Sequence, residues 1–337
     1  MRKLLIFGNG LGRALDNDFF NLEVALHSAW NNPQILNDTQ KELILRCLPA
    51  NLIEDEVPAA PKSEIELDRL QRVLASCDEI AKHETEDGAS WLTDEGKAFP
   101  IAIRSYLHAA ASHFHTGTHT LPATFVDPLI EWVHNTRSHV ATLNYDELLY
   151  RSFVGTSLFN GYSCLIDGFV PNFDPSNLDR KSPLSQSYYL HLHGSPLYFN
   201  SVTGSLHKAS MSGVHQLQGY SSSHVVLTHV QHKTSVIAAS PILREYWKRL
   251  EVAMEEAEAL VLVGYSGDDV HLNLLISKYF RSKQVEVVER VHPHYLTEGG
   301  KSARLTSWKT KLSVGSVVAF WCDNILEHTN WSWKKSA

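Results

Sequence analysis

Four short apolar runs that each stop abruptly on small or polar residues constrain this chain more than any other feature. They are Leu4-Leu5-Ile6-Phe7 before Gly8-Asn9-Gly10; a run from about His139 ending in Ala141-Thr142-Leu143-Asn144-Tyr145-Asp146; Leu190-His191-Leu192-His193-Gly194-Ser195; and Val261-Leu262-Val263-Gly264-Tyr265-Ser266-Gly267-Asp268-Asp269. The unbroken runs before Gly8 and Gly264, cut off by turn residues, predict buried strands, while Ser187 to His193 alternates as a strand. In open α/β sheets, ligand-facing polar groups collect at the carboxyl ends of such strands. The four ends are therefore read as walls of one pocket, organised around Asn144 and Asp146.

The composition allows this reading. With 337 residues, 43% hydrophobic and 20% charged, the chain can bury a sizeable core as one large domain, or as one domain with an inserted module. A net charge of -7 with no long basic block leaves no footprint for nucleic acid or an anionic membrane. Cys47, Cys77, Cys164 and Cys322 lie far apart without a C-x-x-C pair, which gives neither a ribbon-type zinc site nor a disulfide framework. Only four apolar residues precede Gly8, too few for a signal-peptide core, and no window approaches the roughly eighteen apolar residues of a membrane span. The expectation is a soluble, cytoplasmic protein with reduced thiols.

Along the chain, Lys3 to Phe7 is a strand, and Leu11 to Trp30 reads as helix broken near Asn17-Asp18, with a loop over 28–38. Two glycines between a strand and a helix let backbone N–H groups approach a pyrophosphate, but turns of this composition are common. The full G-x-G-x-x-G of a dinucleotide dehydrogenase is absent, as is its second strand with a terminal acid. From Thr39 to Asn135 the pattern turns helical, clearest in Ile65, Leu67, Leu70, Val73, Leu74, Cys77, Ile80 and Ala81. Breaks are expected at Pro49, Pro58-Ala59-Ala60-Pro61, Pro100 and Pro122. His113, His115 and His119 in this stretch are read as surface residues, since no matching carboxylates accompany them.

Beyond Asn144, Glu147 to Phe153 reads as helix, and Gly155 to Pro183 as a loop over the pocket. Strands follow at Ser187–His193, Val225–Leu227, Ala259–Val263, Val285–Val288 and Gly315–Trp321, with helices at Pro241–Glu258 and at Val270–Phe280, the latter N-capped by Asp268 or Asp269. Strand-helix-strand order implies parallel pairing. The Trp331-Ser332-Trp333 tail reads as packing or interface. His191 and His193 in H-x-H would share a strand face, an arrangement some metal hydrolases use, but no further ligand stands at a convincing spacing. His193, followed by Gly194-Ser195-Pro196, sits at a strand end where an imidazole can reach a substrate.

Gly8-Asn9-Gly10, Thr142-Leu143-Asn144-Tyr145-Asp146, His193-Gly194 and Gly264-Tyr265-Ser266 occur in the order of the NAD-binding motifs of the sirtuin, or silent-information-regulator, family, where they read G-A-G, T-Q-N-I-D, H-G and G-T-S. The chain resembles that family. It is most similar to the bacterial sirtuin-like NADases of antiphage defence, which carry N-Y-D, H-G-S and a G-Y-S followed by D and N, here Asp269 and Asn273. The resemblance spans residues 1 to roughly 290 but rests on about twenty positions, none in the helical stretch. It implies an α/β, Rossmann-like parallel sheet of sirtuin type, with helices on both faces. A single NAD-binding domain over 1–337 would carry a helical module inserted at 39–135 and no zinc module.

The resemblance also implies a site. NAD, as substrate rather than resident cofactor, would lie across the strand ends, its pyrophosphate on the turn of Gly8, Asn9, Gly10 and Leu11 and its adenosine near Gly264 and Ser266, with Asp269 and Asn273 completing that wall. Asp146 would face the nicotinamide amide, Asn144 would orient the ribose and a water, and His193 would act as base, with no metal. Four cysteine ligands and an F-G-E element are missing, Asn17-Asp18-Phe19-Phe20 replaces an arginine-containing segment, and Gly12 stands where a serine is usual, so peptide deacylation is not expected. The implied activity is NAD+ hydrolysis to nicotinamide and ADP-ribose, linear or cyclised. A regulated defence effector would deplete NAD, acting as a homo-oligomer or with a companion protein. The competing readings are a non-catalytic NAD or ADP-ribose sensor that signals by assembly, a metal hydrolase using His191 and His193, and last a protein deacylase, which an acyl-peptide assay would separate.

Overall fold

The computed structural model describes residues 1–48, 60–64, 66–83, 91–159, 164–210, 224–227, 232–293 and 297–331. Strand β1 (Lys3–Phe7) leads into helices α1 (Gly10–Leu15), α2 (Leu22–Trp30), α3 (Asp38–Cys47), α4 (Leu67–Ala81), α5 (Asp94–His113) and α6 (Ala123–Thr136). Then come β2 (His139–Thr142), α7 (Leu148–Phe153), β3 (Leu165–Ile166), β4 (Ser187–His191) and the antiparallel hairpin β5 (Tyr198–Asn200) and β6 (Leu206–Lys208). Helices α8 (Lys233–Ala239) and α9 (Pro241–Glu256) precede β7 (Ala259–Val263), α10 (Val270–Phe280), β8 (Gln284–Arg290), α11 (Glu298–Leu312) and β9 (Ser316–Cys322).

Seven strands form one sheet in the order β3-β4-β2-β1-β7-β8-β9, with every neighbouring pair parallel. The unbroken apolar runs of β1 and β7 have the burial they predicted, and every residue of β2 and of the alternating β4 is buried as well. Alternate residues feed two cores. Leu5, Phe7, Val140, Val261 and Val263 face a cluster built with α2, α5 and α6, while Leu4, Ile6, Ala141, Leu260 and Leu262 face one built with α9, α10 and α11. The α/β, Rossmann-like class with helices on both faces is therefore the one observed. From β1 the chain first adds strands on one side, through β2, and later on the other, through β7. That reversal opens a crevice at the carboxyl end of β1, where such sheets bind ligands.

Several expectations need correction. Pro100 breaks nothing; it lies inside α5, where burial of Phe99, Ile103 and Tyr106 holds the helix through the lost hydrogen bond. Among the described residues Val225–Leu227 forms no strand, and its pairing there is a single bridge from Val225 to Gly194. The described part of Gly155–Pro183 does not cover the pocket, because Phe169, Phe173 and Leu178 are drawn into the core on the α9 side, and it also supplies edge strand β3. Helix α11 was not anticipated. The expected loop over 28–38 narrows to 31–37, with Trp30 buried at the end of α2. Pro49, Pro58, Ala59, Ile65 and the Ser332-Trp333 tail lie outside the described residues, whereas Trp331 is buried against Phe125 and Phe7. No described helix is long and apolar enough to cross a membrane.

Candidate active site

The turns after β1, β2 and β7 converge on a cleft of about 1490 Å³. That exceeds the roughly 300–1,000 Å³ that suits drug-sized ligands and leaves room for an elongated one. Gly8 and Gly10 stand on its wall, and the reason they are glycines is visible. A Cβ at Gly8 would lie 2.7 Å from the Gly264 carbonyl oxygen, and one at Gly10 would lie 2.7 Å from Gly264 Cα. The two loops are zipped together by Gly8 N–H donating to Val263 O and Gly10 N–H to Gly264 O, both at 2.9 Å. These N–H groups are thus engaged across the loop pair rather than turned to a ligand, which corrects the simple picture of a phosphate resting on them.

Asn144 follows β2 by two residues and is buried, 3% exposed, on the cleft wall. Among the described residues, neither its Oδ1 nor its Nδ2 has a hydrogen-bond partner. An amide buried with both ends unsatisfied is costly. A ligand in the cleft would supply the missing partners. The amide lies close enough to Asp146 to favour that carboxylate's charged form without reaching hydrogen-bond geometry.

Facing the same cleft, His193 Nε2 sits 3.0 Å from Asp269 Oδ2. Burial alone would raise the Asp269 pKa, but the His193 and Lys233 contacts more than reverse this and hold it below the usual carboxylate range. Lys233 Nζ is 3.2 Å from Asp269 Oδ2 and 3.2 Å from Glu64 Oε2. Burial opposes its charge, yet the two carboxylates keep it above its ordinary value, hence protonated. A fixed ammonium thus backs the carboxylate that orients the imidazole. The turn behind His193 depends on Gly194, which has φ +78° and whose added Cβ would fall 1.7 Å from the His224 carbonyl oxygen.

Of the residues singled out from sequence, Gly8, Asn9, Gly10, Asn144, Asp146, His193, Gly264, Ser266 and Asp269 line this one cleft. Leu11 is fully buried just behind it. Asn273 is turned away as a brace, accepting from Tyr265 Oη at 2.8 Å and donating to Gly267 O at 2.8 Å. Asp269, not Asp268, caps α10, accepting from Leu272 N. His191 does not share the His193 face, because β4 ends at His191 and the chain turns there; its ring is buried among Tyr150, Tyr189 and Tyr198. Among the described residues no group of three or more His, Cys, Asp or Glu is placed to hold a metal ion. Glu64, Lys233 and Arg13, all lining the cleft, were not found from sequence, since none stands at the end of an apolar run.

Asp146 is buried, and burial raises its pKa from 3.8 to about 6 against the N–H of Leu148 and the charge of His115, which favour the carboxylate. A raised native pKa means the charge costs nothing below pH 3.8, where native and unfolded forms are both protonated, and its full cost is present above about pH 6. Asp146→Asn, which keeps the oxygen that caps Leu148, is therefore expected to stabilise the protein by up to about 3 kcal/mol at pH 8 and by nothing near pH 3.5. Denaturant melts at the two pH values check this; an Asn variant less stable than the parent at pH 8 would refute it.

A comparison with protein-family models matches residues 138–314 to the SIR2-like domain. No curated protein matches the chain. The matched stretch runs from β2 through α11 and holds Asn144, Asp146, His193, Gly264, Ser266 and Asp269; the Gly8–Gly10 turn precedes it but packs directly on Gly264. The match covers more than half of the 337 residues, and the chain belongs to the SIR2-like family.

Proposed function

We propose that this protein is an NAD+ hydrolase that cleaves the bond between nicotinamide and ribose, with Asn144 and His193 acting on the sugar. Family membership is consistent with an NAD-related function. The observation that supports the finer reading is the Asn144 amide, without a partner among the described residues, in the same cleft as a His193 imidazole backed by Asp269. Departure of nicotinamide develops positive charge on the ribose, so groups that fix the sugar and a water, and a base near neutral pH, are what the step requires. Asn144 can accept from a ribose hydroxyl and donate to a water. With Nε2 turned to Asp269, His193 keeps Nδ1 for a proton from a hydroxyl or from water. Water adds to the ribose carbon as the nicotinamide nitrogen leaves, giving nicotinamide, ADP-ribose and one proton.

The biological setting follows the motif resemblance: an effector of antiphage defence that drains NAD once triggered by assembly or by a companion protein. Nicotinamide release from NAD, assayed on the protein alone and with the products of neighbouring genes, is expected to fall by at least about 10²-fold in Asn144→Ala and in His193→Ala. ADP-ribose should still bind both variants. Release that survives both substitutions would overturn the assignment, and binding with no release under any condition would favour a non-catalytic sensor.

A further inference from the structure

We propose that α5 and the turn that ends it form a strut that sets the positions of Asn144 and His193 through two buried imidazoles, His115 and His108. The functional consequence rests on the proposed NAD cleavage; the mechanical part does not. His108, 4% exposed, points Nε2 at the Pro196 carbonyl oxygen at 2.9 Å, three residues after His193. A carbonyl only accepts, so Nε2 carries the proton, and Nδ1 faces the Ser112 hydroxyl at 3.5 Å, which suits that tautomer. His115, seven residues on, points Nε2 at the Tyr145 carbonyl oxygen at 2.7 Å, beside Asn144. Its Nδ1 faces Glu147 Oε2 at 3.6 Å, and Glu147, at the N-terminus of α7, is paired in turn with Arg151 of that helix. The expectation of surface histidines therefore fails at His115, which is 7% exposed.

One rigid element thus holds the backbone of both loops that carry the reacting side chains. The loops also meet each other: Tyr145 Oη donates to Val226 O at 2.7 Å, and Val226 N–H donates to His193 O at 2.9 Å. The far side of α5 is anchored in the core through Ile103, Tyr106 and Ala110, with Tyr106 Oη donating to Leu26 O at 3.3 Å. Removing either imidazole leaves a buried carbonyl without its donor, a cost the loop relieves by shifting. Displacements of about 1 Å at a reacting group cost on the order of 10²-fold in rate.

The test uses the full chain and the variants His115→Ala, His115→Gln, His108→Ala and His108→Gln, read by amide hydrogen exchange and by nicotinamide release. His115→Ala is expected to speed exchange over 144–148 about 10-fold and leave 194–198 unchanged, and His108→Ala to do the converse. The Gln variants, whose side-chain amide can reach the same carbonyl, should restore both. In kinetics the Ala variants should lose about 10- to 100-fold in kcat with KM within about 3-fold. Unchanged exchange at both loops, or a rise spread evenly over the helices from 94 to 136, overturns the strut. Loop-specific exchange in a protein that releases no nicotinamide in any form leaves the strut standing and removes the NAD-cleavage reading instead.

Discussion

Asp269→Asn lowers kcat for nicotinamide release by about 10²–10⁴-fold if His193 is the base. The carboxylate accepts from His193 Nε2 at 3.0 Å, so in the neutral imidazole the proton stays on Nε2 and Nδ1 is the nitrogen that can take another. An asparagine at the same place can present its NH2 to Nε2. The imidazole then carries its proton on Nδ1, the wrong nitrogen for a base. The cap of α10 survives, because Oδ1 accepts from Leu272 N at 3.0 Å and asparagine caps as well as aspartate does, while the charge that His193 and Lys233 favour is lost, so the variant is also expected to melt lower at neutral pH. Lys233 loses one of its two carboxylates but keeps Glu64. Steady-state nicotinamide release, with ADP-ribose binding and a thermal melt as controls, checks this. A kcat within about 3-fold of the parent would mean that His193 does not act as the base, whatever else the cleft binds.

The parts of this cleft that could be read from the sequence are those that end strands. Buried strands announce themselves as unbroken apolar runs, and the residue after such a run falls by construction at the carboxyl edge of the sheet. Asn144, Asp146, His193 and Asp269 were found that way, and the structure sets all four on one cleft. Glu64 and Lys233 were missed because nothing local marks them; their pairing is created when the helical segment folds against the chain just before α9, far away in sequence. The same reason explains the histidines. A lone imidazole on an amphipathic helix has no local signature of burial, and His108 and His115 are covered only because α5 lies against loops contributed by β2 and β4. Helix α11 escaped because Gly299 and Gly300 sit in its first turn and only Trp308 and Leu312 are buried, too weak a period to register. Pro100 misled in the opposite direction: a strong local breaker was overruled by tertiary packing along α5.

Lys3→Met costs about 3–5 kcal/mol of stability, while Lys3→Met combined with Glu286→Leu restores the parent level or exceeds it by about 1–4 kcal/mol. Lys3 opens β1 and Glu286 lies on β8, with β7 between them, yet Nζ meets Oε2 at 2.6 Å with side chains only 2% and 3% exposed. The reach is possible because Ala259, the β7 residue in register with Lys3, is small. Glu286 Oε1 is satisfied separately by Gln284 Nε2 at 2.8 Å. Burial raises the Glu286 pKa above 4.5, and the Lys3 contact is the main influence opposing that rise. Removing the ammonium alone strands a carboxylate in the core. That penalty has a definite pH sign. It is full where the native carboxylate would be charged, shrinks as pH falls and the group takes a proton, and vanishes below 4.5, where the unfolded chain is protonated too. Removing both partners replaces two desolvated charges by apolar contacts in the middle of a strand layer that already carries Leu5 and Val261 on that face. Urea denaturation of the two single variants and the double variant, at pH 5 and pH 8, measures the cycle. A Lys3→Met cost below about 1 kcal/mol, or a double variant no more stable than the weaker single, would show that the pair is not a desolvated ion pair in solution.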